Sequence, residues 1–211
     1  LTTQALLAVH LSLPVIRVLL VSLVACLVGL VGAKLYYLML HPAERRRALY
    51  AGMCIQGFVL GAVAALIIAA WLAGVGIGTL LDVTAPGLMF GMTIGRFGCF
   101  FGGCCAGRAT TSRWGLWSSD RRIGQRRIPT QLLEAALAAA IGTTALLVLV
   151  AAGAPEPAGL IFVGSGAAYT FGRQLLFPLR GLPRQTRHGR VIALATAATV
   201  LVADVIVGIL T

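Results

Sequence analysis

VIRVLLVSLVACLVGLVGAKLYYLML, residues 15–40, runs for 26 positions with Arg17 and Lys34 as its only charges. A bilayer's hydrocarbon core is about 30 Å thick and takes about 20 apolar residues to cross as a helix. The stretch therefore predicts a membrane span, long enough to tilt or to begin with an interfacial turn at Leu13-Pro14. The same ruler predicts five more spans, at about 53–74, 83–101, 131–153, 157–177 and 191–210. Composition agrees with this reading. Hydrophobic residues make up 59% and charged residues 11%, with a mean hydropathy of +0.94. Charge is thus about half that of an average soluble domain, and a soluble core of this size cannot hide so much apolar surface. The expected fold class is all-α, a polytopic transmembrane helix bundle of about six spans, with residues 1–211 as a single transmembrane domain.

Proline and glycine punctuate the spans. Pro86 is expected in the first turn of the third helix, capped by Thr84, and Pro129 opens the fourth. Gly87, Gly91 and Gly95 form a G-x3-G-x3-G row, which predicts a face where another helix packs closely. No cleavable signal pattern opens the chain, and its first residue, Leu1, suggests that upstream sequence has been processed, trimmed or lost.

The net charge is +11, from 17 basic and 6 acidic residues. All the basic residues except Lys34 are arginine. A nucleic-acid binder is the soluble reading of such a balance, but here the arginines sit in short loops between apolar segments, and no nucleic-acid partner is expected. Segments 41–52, 102–130 and 178–190 hold Arg45, Arg46 and Arg47, then Arg108, Arg113, Arg121, Arg122, Arg126 and Arg127, then Arg180, Arg184, Arg187 and Arg190. The intervening loops hold Asp82 and Glu156. By the positive-inside rule the arginine-rich side is cytoplasmic.

The chemistry-bearing stretch is GRFGCFFGGCCAGR, residues 95–108. Arg96 and Arg108 bracket a loop containing Gly98, Gly102, Gly103 and Gly107. Arginine at membrane depth is costly and faces a polar cavity or an anionic partner. Its donor fork suits phosphate oxygens, and glycines allow the tight turns that bring amides to the same anion. Nonspecific binding of lipid headgroups by snorkelling arginines is the competing reading. In RRIPTQLLEA, residues 126–135, Gln131 and Glu134 share a helix face near its start. Glu134 is favoured there by the helix dipole, or, paired with Arg127 or another arginine, orients a phosphate-binding guanidinium. In AYTFGRQLLFPLR, residues 168–180, Arg173 demands a partner, whereas Arg180 is expected at the interface. Asp204 is expected to pair near the membrane surface.

Cys26 and Cys54 read as small buried hydrophobes. Cys99, Cys104 and Cys105 admit inert packing, a disulfide or redox pair, or a catalytic thiolate whose pKa Arg96 and Arg108 would lower. Metal binding is disfavoured, because no histidine or acid lies at ligand spacing nearby.

GRFGCFFGGCCAGR, IPTQLLEA and YTFGRQLLFPLR, together with GAKLYYLML at 32–40 and QGFVLGAV at 56–63, resemble the prolipoprotein diacylglyceryl transferase family. The resemblance runs in order from about residue 20 to 185. It implies a multi-pass protein of the bacterial inner or plasma membrane, with a further upstream span. It implies transfer of diacylglyceryl from phosphatidylglycerol to the lipobox cysteine of a preprolipoprotein signal peptide, with glycerol phosphate leaving and no metal or cofactor. It also implies that the arginine-bearing loops face outward, against the charge rule. Arg96, Arg173, Gln56 and Glu134 are then the expected catalytic residues. Arg108, Gly98, Cys99, Gly103, Gln131 and Arg127 are the expected substrate-binding residues. Several positions depart from the family pattern. Gln56 stands for a common His or Tyr, Ile128 for a His, Cys99 for Asn, Cys104 for an acid and Phe177 for Glu. These departures leave two further readings open: a non-catalytic phospholipid-binding subunit, or a related lipid transferase with another acceptor.

Overall fold

The computed structural model describes residues 1–41, 52–118, 123–180 and 188–210. Of the loop arginines, Arg45, Arg46, Arg47, Arg121, Arg122, Arg184 and Arg187 lie outside the described residues. The chain forms two compact units, Leu1–Leu80 and Leu81–Thr211.

In the first unit a short helix α1 (Thr2–His10) precedes α2 (Val15–Leu40), with Pro14 as the residue before α2. Buried Gln4 of α1 donates to the Ser22 hydroxyl at 2.7 Å, which ties the two helices together. Helix α3 (Ile55–Ala73) lies antiparallel to α2: Cys54 N–H donates to the Ala33 carbonyl at one end, and Arg17 reaches the Ala73 carbonyl at the other. Small residues set this pairing. A Cβ on Gly32 would sit 2.5 Å from the Gly57 carbonyl oxygen, and one on Gly61 would sit 2.9 Å from that of Val28. Backbones this close need glycine on both helices.

Two positions of the small-residue row expected on the third span do not act this way. A Cβ on Gly91 or Gly95 would meet nothing within 4 Å. A close seam joins α2 and α3, where Gly57 and Gly61 are four apart and Gly29 and Gly32 three apart.

Helix α4 (Ile77–Phe101) begins in the first unit and runs on into the second. It starts six residues before the expected 83, so Pro86 is inside the helix and neither caps nor opens it. Proline lacks an N–H, and the Asp82 main-chain carbonyl loses its helical donor. Asp82 is fully buried and not in a loop; its carboxylate accepts from the backbone N–H groups of Gly159 at 2.6 Å and Phe162 at 3.0 Å. Those amides belong to the start of α6 (Leu160–Leu176), where a helix carries unpaired donors. A satisfied carboxylate does not have to end a helix, and this is why the earlier start is possible.

After α4 the second unit holds two-residue strands β1 (Leu116–Trp117) and β2 (Arg126–Arg127), paired antiparallel, then α5 (Thr130–Ala152), α6, a 3-10 turn (Phe177–Leu179) and α7 (Gly189–Leu210). Met89, Ala138 and Tyr169, from α4, α5 and α6, form its buried core, with Met92, Leu137 and Ile141 against them. Gly142 lets α5 approach the Met89 and Phe90 side chains of α4.

Among the described residues five helices, α2, α3, α4, α5 and α7, are long and apolar enough to cross a membrane. Helix α6, on the expected 157–177 span, has 17 residues and carries Arg173 in its last turn. Together with the broad exposure of Leu, Ile and Val on these helices, the architecture is that of a multi-pass membrane protein. Asp204 of α7 does not form the expected surface pair: it packs against Gly164 of α6, and its Oδ1 is buried with no hydrogen-bond partner.

Candidate functional site

The site is assembled at the end of α4. Gly103 adopts a left-handed conformation, φ 71°, and Cys104 N–H donates back to the Cys99 carbonyl at 3.1 Å. This is the Schellman termination of a helix, which folds the chain back over its own last turn. The loop then threads between two other segments. Gly107 N–H donates to the Ile128 carbonyl, Ile128 N–H to the Arg108 carbonyl, and Arg108 N–H to the Leu179 carbonyl, all within 2.9–3.1 Å.

The first turns of α5 grip the same loop. The Thr130 hydroxyl donates to the Cys105 carbonyl at 3.2 Å, and Gln131 Nε2 donates to the Cys104 carbonyl at 2.7 Å. Glu134 lies one turn further along the same face, as the spacing predicts, and is fully buried. Two guanidinium groups converge on its carboxylate: Arg96 Nε at 2.8 Å from Oε2, and Arg180 Nη2 at 2.5 Å from Oε1. The Arg96 and Arg180 side chains are only 15% and 8% exposed. Arg96 Nη2 also donates to the Tyr169 hydroxyl of α6 at 3.3 Å.

Neither ion pair has the alignment of a hydrogen bond, and both Glu134 oxygens keep acceptor capacity. Arg180 Nε, Arg127 Nε and Gln131 Oε1 are likewise buried without hydrogen-bond partners. A buried polar atom left unpaired is costly. Arg127, Gln131, Glu134 and Arg180 thus carry buried polar atoms with hydrogen-bonding capacity to spare.

Glu134 pairs with Arg96 and Arg180, not with Arg127. Arg127 reaches the Gly107 carbonyl at 3.5 Å and lines a narrow crevice with Gly103, Phe100, Trp117, Ile128 and Gln131. The sequence places Arg180 at the interface, and the structure brings it to Glu134 instead, a site role that its local sequence does not show. Sequence carries only a weak signal for it: with 17 basic and 6 acidic residues, arginines outnumber the carboxylates available to them, but nothing local shows which carboxylate Arg180 meets.

Arg173 does not find the partner it was expected to need. It is half-buried and makes no hydrogen bond or ion pair with a described residue. It lies one helical turn beyond Tyr169 on α6, and so on the face that meets Arg96. Arg108 is exposed and, with Thr110, Gln125 and Arg126, lines an open basin of about 880 Å³. Arg126 clamps the hairpin through two contacts to the Gly115 carbonyl, the shorter 2.7 Å. A side chain on Gly98 would meet nothing within 4 Å. Gln56 belongs to the first unit, where it is exposed and its Oε1 accepts from the Cys54 thiol at 2.7 Å. Cys54 is thus hydrogen-bonded at an intermediate position and Cys26 is exposed, so neither is a buried hydrophobe.

All five cysteines are free thiols. Arginine does not lower the Cys104 thiol. Its pKa is pushed up to about 11, first by desolvation and then by hydrogen bonds and charge at Cys99 and Cys105. At neutral pH Cys104 is a neutral thiol and no ready nucleophile.

Fold and site together define a polytopic membrane protein whose helix ends enclose a buried glutamate between arginines. The prolipoprotein diacylglyceryl transferase family profile matches residues 10–210, and the chain belongs to that family. Among similar proteins is the phosphatidylglycerol--prolipoprotein diacylglyceryl transferase of Geobacter sulfurreducens, 35% identical over 61% of this chain and 48% of its own length. The protein of Streptomyces coelicolor with the same name, numbered 2, is 34% identical over 72% of this chain and 53% of its own. That of Clostridium tetani is 25% identical over 89% of this chain and 76% of its own. The chain thus spans about half the length of the first two relatives and three quarters of the third.

Proposed function

We propose that the chain is a diacylglyceryl transferase using phosphatidylglycerol as donor and the thiol of a lipobox cysteine as acceptor. In the reaction a C–S bond forms at the glycerol carbon, the C–O bond to phosphate breaks, and the thiol proton is lost as glycerol phosphate departs. Negative charge grows on the leaving phosphate, and pre-placed cationic donors are worth most there. The observation that carries the reading is the Arg96–Glu134–Arg180 cluster. One carboxylate fixes two guanidinium groups in a low-dielectric setting, and the unpaired donors of Arg180 and Arg127 remain for an anion. In this reading Glu134 is a positioning residue, while Arg96, Arg180 and Arg127 supply phosphate contact. Gln131 and Gly103 hold the loop beside them, and Gly98 and Cys99 belong to the helix end that delivers Arg96. Arg173 and Arg108 guide the phosphate in from the membrane side and the open basin. The place of Gln56 in the reaction rests on the family resemblance alone.

Purified protein incubated with labelled phosphatidylglycerol and a lipobox peptide is expected to yield lipidated peptide and glycerol phosphate together. Arg96→Ala is expected to lower the rate by about a hundredfold or more while the protein stays folded in membranes. Glycerol phosphate release without peptide labelling would favour a transferase with another acceptor, and no product at all would favour the lipid-binding subunit that Gln56, Ile128 and Phe177 keep in play. The proposed setting is the bacterial inner or plasma membrane, with the arginine loops facing outward. A Thr111→Cys variant, in a background with the five native cysteines changed to serine, is expected to take an impermeant maleimide in intact cells. Labelling only in inverted vesicles would reverse the orientation.

A further inference from the structure

The three thiols of the C-x4-C-C motif take no part in the reaction above, and the fold gathers them into one cluster. The Schellman turn at Gly103 stacks Cys104 over Cys99, because its backbone bond joins those two residues. Cys105 then takes φ 60°, a left-handed conformation uncommon for any residue but glycine, which brings the third thiol round to the other two. The three Sγ atoms lie within 4.8 Å of one another. The arrangement is held from behind as well, since Gln131 and Thr130 bind the Cys104 and Cys105 carbonyls.

We propose that Cys99, Cys104 and Cys105 form a three-thiolate site for a soft closed-shell cation, Cu(I) or Zn(II). Metal–sulfur bonds of about 2.3 Å place three sulfurs around one ion about 4 Å apart, so small side-chain rotations from the present spacing suffice. Among the described residues no histidine or carboxylate joins the cluster, and a donor set of thiolates alone selects the softer ions. Cys104 and Cys105 are exposed, so the cluster has an entry path from solvent. Each thiol that ligates releases its proton to solvent, and the cation replaces up to three protons. The site is independent of the transfer reaction proposed above.

Full-length protein in detergent, prepared under reducing conditions, is titrated separately with Zn(II) and with Cu(I) against a chromophoric competitor. One equivalent of at least one of these ions is expected to bind. Cys99→Ser, Cys104→Ser and Cys105→Ser are each expected to weaken it by about tenfold or more, and a Cys26→Ser/Cys54→Ser variant to leave it unchanged. On the unmutated chain the bound ion is expected to protect these three thiols, and not Cys26, from maleimide. Three outcomes would overturn the proposal: no saturable one-equivalent binding of either ion, binding unchanged in the triple serine variant, or a stable disulfide within the cluster in protein isolated without reductant.

Discussion

A Glu134→Gln variant is expected to lose about 3–5 kcal/mol of stability and all measurable transfer. The amide keeps the shape and volume of the side chain, so the effect is electrostatic. Glu134 is fully buried, and the guanidinium groups of Arg96 and Arg180 lie 2.8 and 2.5 Å from its oxygens with 15% and 8% of their side chains exposed. Removing the carboxylate charge leaves both cations in a poorly solvated place without their counter-charge. Breaking a buried ion pair costs far more than forming one gains, because the remaining charge keeps its desolvation penalty. The melting temperature is expected to fall by about 10 °C. The origin of the loss can be separated from simple misfitting: a triple variant with Arg96→Leu and Arg180→Leu added to Glu134→Leu is expected to recover much of the stability and none of the activity. If Glu134→Gln melts with the native protein, the charges are compensated elsewhere and the cluster is not the organising feature of the site.

The helices were legible because bilayer thickness fixes a length and an apolarity that local sequence displays directly. The same rule misplaced the start of α4. It treats Asp82 as a boundary, whereas the carboxylate is satisfied by the amides at the start of α6, about 80 residues later in the chain. The site was legible in part for a similar reason. Gln131 and Glu134 share a face by helical spacing alone, and Arg96 stands at the end of an apolar helix, so both could be read locally. Arg180 could not, because its importance comes from a 3-10 turn that carries it back to a carboxylate 46 positions earlier. Arg173 shows the converse: a guanidinium within an apolar helix looks as if it must be paired, yet the carboxylate it would need is already taken by two other arginines. The cysteine cluster was visible as spacing, but its closure depends on the φ of Gly103 and Cys105, which composition does not reveal.

Gly107→Ala is expected to cost about 1–3 kcal/mol and to slow transfer by about a hundredfold, although the substitution adds only one methyl group. Gly107 is buried where the loop passes between two other segments. A Cβ there would lie 2.6 Å from the Leu179 carbonyl oxygen, 2.7 Å from that of Ile128 and 2.9 Å from the Ile128 Cβ. All three atoms sit on or beside backbone that is hydrogen-bonded to this loop, so no flexible side chain can give way. The segments must move apart, and Leu179 immediately precedes Arg180. The methyl group therefore acts by shifting the guanidinium that grips Glu134, and a displacement of about 1 Å at such a place is enough for the loss in rate. Gly95→Ala provides the contrast, since a Cβ at that position meets nothing within 4 Å and both stability and rate are expected to stay near native. Measuring the two variants side by side, by thermal melting and by lipidation of the peptide, separates close approach from a general cost of replacing glycine. Equal effects at the two positions would mean that the passage of the loop through its neighbours does not set the position of Arg180.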